Sequence, residues 1–252
     1  MKYSFIIGNW KLYGNKNMIH NFFSKLQNKI NINSQYKIII TPPFVYLDLV
    51  NKYLSKIPNF YLGAQNVDIH SSGPFTGEIS AKMLQDIGVK YVFIGHSERK
   101  INHNENNKHI IKKFSLSKES KLIPILCIGE NVIEHQNNKT QKICEKQINT
   151  IIDALGISSL KNTIIAYEPI WSIGTGKTPL IQKVEKIINK IRSYLNKKNK
   201  NISTTISILY GGSINETNAI DFLKIPNING VLIGNASIHS STFLNIAKNL
   251  KK

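Results

Sequence analysis

One carboxylate stands at the end of an apolar run in Ala166-Tyr167-Glu168-Pro169-Ile170-Trp171-Ser172-Ile173-Gly174-Thr175-Gly176-Lys177. Behind Glu168 comes a stiff segment, because proline fixes φ ahead of the bulky Trp171. Gly174 and Gly176 then permit backbone conformations closed to other residues. A base followed at once by a flap suits an enzyme that removes a carbon-bound proton away from water. The Gly-Thr-Gly-Lys tip offers unhindered N–H groups of the kind that cradle phosphate. Gly-x-Gly-Lys alone is a weak signal, and the whole string is a strong one.

Other chemistry-bearing residues also fall where apolar runs end. Asn9-Trp10-Lys11 closes the first run, Gly95-His96-Ser97-Glu98-Arg99 the fourth and Glu168 the sixth. Tyr210-Gly211-Gly212-Ser213 follows the seventh, and Gly234-Asn235-Ala236-Ser237 the eighth. Together they supply a cation, an imidazole, a carboxylate and two small-residue turns, the parts needed to hold a phosphate and move a proton beside a carbonyl. Lys11 closes a buried run, which favours function over a surface charge. His96 precedes Ser97-Glu98, a helix-start pattern, so its ring should sit at a positive helix end as a neutral N–H donor. Glu98 and Arg99 read equally well as a structural ion pair, with Glu78 a plausible partner for Arg99. Cys127 reads as core packing.

The runs that must position these residues lie at 4–9, 37–41, 60–64, 91–95, 122–128, 163–167, 205–209 and 230–233. They are short, nearly continuous and rich in Ile, Val and aromatics, as strands buried on both faces should be. Helical patterns separate them, most clearly at 16–30, 104–118, 141–155 and 181–195. In the first, Met18, Ile19, Phe22, Phe23, Leu26 and Ile30 form one apolar stripe. Eight strand–helix units without a Pro/Gly/Ser-rich linker predict a single (β/α)8 barrel over residues 1–252, with its site at the C-terminal ends of the strands. A doubly wound open sheet is the alternative, but it usually carries an early glycine fingerprint, and the first run here ends in Gly-Asn-Trp-Lys.

At 252 residues, with 41% hydrophobic and 9% aromatic residues, the chain reads as an ordinary globular protein. No apolar run approaches the ~20 residues of a membrane span, and Phe5-Ile6-Ile7 is too short for a signal peptide. Cys127 and Cys144 among apolar neighbours suggest a reducing cytoplasm. The net charge of +18 invites a nucleic-acid reading, but its lysines are dispersed, and Lys197-Lys198-Asn199-Lys200 looks like the solvated end of a helix. Dispersed charge argues against nucleic-acid binding as the main role, and a polyanion (RNA)-binding protein on a decayed barrel stands as the alternative. A positive field would still draw in a small anionic substrate.

The residues at the run ends resemble those of the triosephosphate isomerases, and the likeness extends from Phe5 to Ala236 and beyond. Beside the flap, the matching strings are Gly8-Asn9-Trp10-Lys11, Gly63-Ala64-Gln65-Asn66-Val67, Phe75-Thr76-Gly77-Glu78-Ile79-Ser80, Gly95-His96-Ser97-Glu98-Arg99, Cys127-Ile128-Gly129-Glu130 and Tyr210-Gly211-Gly212-Ser213. The resemblance implies interconversion of dihydroxyacetone phosphate and glyceraldehyde 3-phosphate, with no metal or organic cofactor. It makes Glu168 the base, with His96 and Lys11 stabilising the enediolate oxygens and Asn9 adding a hydrogen bond. Phosphate would rest on backbone N–H groups of Gly174, Ser213, Gly234 and Asn235. Closing Ile173 and Leu232 over Glu168 would exclude the water that otherwise makes a carboxylate a poor base for a carbon acid. The long segment from Gln65 to Ser80 is implied to form a homodimer interface, with Thr76 near the Asn9 and Lys11 of a second copy.

The chain departs from the family pattern in four places. Asn235 stands where a second glycine is usual, and asparagine tolerates left-handed backbone better than most residues. Pro179 replaces the alanine whose N–H, in the family's closed flap, donates to the tyrosine matching Tyr210, and proline has no N–H. Ser172 and Lys100 replace an alanine and an arginine, both mild changes.

Overall fold

The apolar runs pair in chain order, each parallel to the next, and the last returns to the first to close a barrel. The computed structural model describes residues 4–27, 36–173 and 178–248. The strands are β1 (Ser4–Asn9), β2 (Tyr36–Thr41), β3 (Phe60–Ala64), β4 (Tyr91–Ile94), β5 (Ile123–Ile128), β6 (Ile164–Tyr167), β7 (Ser207–Tyr210) and β8 (Gly230–Ile233). Gly174, with the rest of the tip at 174–177, and Ile30 lie outside the described residues.

Where boundaries differ from expectation, local chemistry accounts for it. Strand β7 begins late because Asn199 caps a short helix, Lys200–Thr205, by accepting the Ile202 N–H at 3.0 Å. The fifth-strand approach likewise differs. The helix expected from residue 104 starts at Asn107, since Asn106 accepts the His109 N–H at 3.1 Å and Asn104 turns left-handed, φ 51°. That turn frees Glu105 to point inward. Strand β4 stops at Ile94 because Gly95 adopts φ 68°.

Alternate residues of the strands enter two separate buried clusters, as a pleated ribbon requires. Ile7, Ile39, Phe93, Ile125, Cys127, Ala166, Leu209 and Leu232 fill the barrel interior. Ile6, Ile38, Ile40, Val92, Ile94, Leu126, Ile165, Ile208 and Val231 face outward, against the helices. The helix Lys16–Gln27 buries the stripe Ile19, Phe22, Phe23 and Leu26 in that outer layer. Trp10 locks the barrel's seam: its ring meets Phe22 edge-on at 5.2 Å, and its Nε1 donates to Ser237 O at 3.2 Å. The end of β1 is thereby tied to the turn after β8. Among the described residues, no helix is long and apolar enough to cross a membrane.

Candidate active site

Glu168 is the first residue after β6, and its backbone is wedged in place. Its N–H donates to Ile128 O at 2.7 Å. Gly129 allows the two strand ends to close up, since a Cβ there would stand 1.8 Å from the Glu168 carbonyl oxygen. On the other side, a Cβ at Gly211 would meet Glu168 Cγ at 3.0 Å, so that glycine leaves room for the side chain. The carboxylate is 2% exposed, and its Oε2 has no N–H or O–H partner among the described residues. Its charge reaches Cys127, whose thiol is pushed well up, first by burial and then by Glu168. Burial has stripped this carboxylate of water, and the oxygen without a donor is left for a proton from outside the chain.

His96 ends the β4 connection and caps the helix Ser97–Asn102 with its own ring. Nδ1 accepts the Glu98 N–H at 3.3 Å. An imidazole nitrogen that accepts carries no proton, so in this arrangement the ring's single proton sits on Nε2. That nitrogen lies 3.4 Å from Glu168 Oε1 and 3.4 Å from Asn9 Nδ2. Two donors side by side, next to a carboxylate, mark a place for an external oxygen.

Lys11 reaches the same cleft through a strained turn. Its φ is 51°, rare for a residue with a side chain. Asn9 Oδ1 accepts the Lys11 N–H at 3.0 Å, and Gln65 Nε2 donates to both Lys11 O (2.8 Å) and Thr41 O (2.9 Å). The ammonium pairs with Glu98, and its stem passes Gly234, where an added Cβ would lie 3.6 Å from Lys11 Cε. Gly234 and Asn235 enter a 3₁₀ turn, Asn235–Ile238, opposite Gly211 and Ser213. Asn235 does not adopt positive φ, so the left-handed strain considered for it does not arise. Asn9, Lys11, His96, Glu168, Ile173, Ser213, Leu232, Gly234 and Asn235 line one cleft of about 190 Å³. Among the described residues, no cluster of three or more His, Cys, Asp or Glu side chains is arranged to hold a metal ion.

Further side chains support the cleft from behind, in roles that residue type alone does not assign. Glu105 accepts from Gly95 N–H at 3.0 Å, Arg99 Nε at 2.9 Å and Lys113 Nζ at 2.5 Å. It is therefore Glu105, and not the exposed Glu78, that answers Arg99 within the chain. Lys113 also donates to Asn66 Oδ1 at 2.8 Å, linking the His96 turn to the base of the segment after β3. Glu130 is wholly buried and accepts from Trp171 Nε1 at 2.9 Å and Tyr167 OH at 3.3 Å. Lys100 donates to Cys127 O at 2.9 Å, and burial pushes its ammonium pKa down. Glu130 lay inside a recognised string, so its motif was a signal. Glu105 gave none, because its partners come from folding, and Lys100 stands out only as a departure from the family pattern.

The sequence model of the Triosephosphate isomerase family matches residues 4–250. The chain belongs to the triosephosphate isomerase family. A triosephosphate isomerase of Blochmanniella floridana is 49% identical over 100% of this chain and 98% of its own length. Those of Baumannia cicadellinicola and of Buchnera aphidicola subsp. Cinara cedri are 45% and 48% identical, covering 98% and 96% of this chain and 97% and 96% of theirs. A triosephosphate isomerase barrel is thus the frame in which the cleft is to be understood. Of the expected site residues, the structure brings together Asn9, Lys11, His96, Glu168, Ser213, Gly234 and Asn235.

Proposed function

We propose that this cleft interconverts dihydroxyacetone phosphate and glyceraldehyde 3-phosphate through an enediolate. Glu168 takes the proton from one carbon and returns it to its neighbour. His96 Nε2–H, Asn9 and Lys11 receive the charge that develops on the two oxygens, an arrangement most effective in a dry, preorganised site. The observation that carries this reading is the His96 ring. Its Nδ1 is occupied by the Glu98 N–H at 3.3 Å, which leaves Nε2 as the donor 3.4 Å from the Glu168 carboxylate. Ser213, Gly234 and Asn235 would hold the phosphate with their backbone N–H groups, joined by Gly174 from the flap. Ile173 and Leu232 would exclude water while the proton is between carbons.

The test is turnover of glyceraldehyde 3-phosphate by the purified protein beside Glu168→Gln. A general base is worth about 10²–10⁴ in rate, so the variant should lose at least a hundredfold in kcat with folding intact. Equal turnover in the two proteins would refute the assignment.

The reading extends to assembly and compartment. Leu12 (95% exposed) and Val45 (79% exposed) flank Lys11 in a groove with Tyr13, Phe44 and Gln65. In the segment from Gln65 to Ser80, residues 71–78 are exposed and Phe75 stacks on His70 at 3.5 Å. A homodimer in which each copy's projection, led by Thr76, fills the other's groove covers both surfaces and presses on the loop that carries Lys11. Buried, unpaired Cys127 and Cys144 suit a reducing cytoplasm.

A further inference from the structure

The base of the flap is built on a short helix outside the cleft. Asn131 and Glu134 form a reciprocal cap, the Glu134 N–H to Asn131 Oδ1 at 2.9 Å and the Asn131 N–H to Glu134 Oε2 at 2.9 Å. The cap fixes the helix Val132–Gln136 and, with it, the direction of the His135 side chain. The His135 ring lies against Trp171, centroids 4.4 Å apart and planes tilted by 35°. Its Nδ1 is 3.2 Å from Glu130 Oε1, the same oxygen that receives Trp171 Nε1. Glu130 O also accepts the Ile170 N–H at 3.0 Å. The turn Ile170–Ser172 is thus gripped through its backbone, its indole N–H and its indole face.

We propose that His135 is a positioning residue for the reaction, clamping Trp171 so that Glu168 on one side and Ile173 on the other enter the cleft in register. Glu168 is separated from Trp171 only by Pro169 and Ile170, a stretch with little torsional freedom. A shift of the indole therefore passes to the carboxylate and to the flap residue that covers it. His135 contributes two separable things: a ring face for Trp171 and an N–H for Glu130, whose buried charge otherwise rests on neutral donors from Tyr167 and Trp171.

The kinetic arm of the test rests on the isomerase reading, and the spectroscopic arm does not. Trp10, the other of the two tryptophans, is 0% exposed and packs against Phe22 and Ser237, so a change in tryptophan emission on mutating His135 reports Trp171. His135→Ala should lower kcat/KM about tenfold, with kcat falling and KM rising, and should move the emission to longer wavelength. His135→Phe, which keeps the ring, and His135→Gln, which keeps a donor, should each recover part of both signals. They also serve if the alanine variant folds poorly. Wild-type kcat, KM and emission in His135→Ala would overturn the proposal, as would a lower Tm with unchanged kinetics and emission. If the wild-type protein shows no turnover, the isomerase reading fails by itself, and the emission series still decides whether His135 holds Trp171.

Discussion

Replacing His96 by glutamine keeps a donor in the cleft but removes the nitrogen that accepts the Glu98 N–H at 3.3 Å. The helix Ser97–Asn102 loses its cap, at a cost of about 1 kcal/mol. The catalytic cost should be larger, because the amide no longer has a fixed direction toward the substrate oxygen. Turnover is expected to fall about a hundredfold, within the range for a positioned donor, with little change in thermal unfolding. Equal losses of stability and activity would instead mark His96 as a scaffold residue. Glu105 is the converse case, a residue whose charge serves the scaffold. Burial raises its carboxyl, but the hydrogen bonds and charges of Lys113 and Arg99 outweigh burial and hold it below the ordinary range. A carboxyl depressed on folding contributes stability that is complete above its unfolded pKa and lost as pH falls through the folded value. Glu105→Gln should therefore cost about 3 kcal/mol at neutral pH, since it strands the buried Lys113 ammonium. The gap between variant and wild type should narrow in acid denaturation experiments, and a gap independent of pH would contradict the assignment.

At the scale of elements, the two ends of the flap differ in chemistry. Its first hinge carries Trp171 held by Glu130, and Ser172 O accepts from Ser213 Oγ at 2.6 Å. Its second hinge passes through Pro179, buried and without an N–H. Pro179→Ala restores one backbone donor, worth about 1 kcal/mol net. A planar enediolate analogue should then bind about fivefold more tightly, by the same energy, and kcat should rise. Unchanged affinity and turnover would show that closure does not use that donor. The flap's importance was readable in the sequence because stiff and permissive residues adjoin there, whereas its fastenings were not. The strands were legible for a related reason: runs such as 60–64 and 230–233 are apolar at every position, and a strand buried on both faces has no other pattern. The start of the helix Asn107–Glu119 was not, because an asparagine cap and a left-handed Asn104 look alike as letters. Asn9, Lys11, His96 and Glu168, which line one cleft, stand out in the sequence because polar residues close apolar strands there. Glu105 and His135 were not, because their partners are chosen by packing between elements far apart in the chain.

At the scale of the whole molecule, a net charge of +18 sets two effects against each other. The substrate is a small dianion, and a strongly positive protein raises its encounter rate at low ionic strength. The same charge on two copies opposes their association until salt screens it, the Debye length falling from about 30 Å at 0.01 M to about 8 Å at 0.15 M. If the Lys11 loop is firm only when a second copy covers Leu12 and Val45, the two effects meet in one assay. At protein concentrations well above dimer dissociation, kcat/KM should fall steadily as salt is added, by severalfold between those two ionic strengths. At nanomolar protein the trend should reverse at the low-salt end, because added salt first restores the dimer. Sedimentation at the same salt concentrations should place the turning point where half the chains are paired. A monotonic fall at every protein concentration, with dimers throughout, would mean that the apolar contact outweighs the repulsion. A monotonic fall with monomers throughout would remove the second copy from the site altogether.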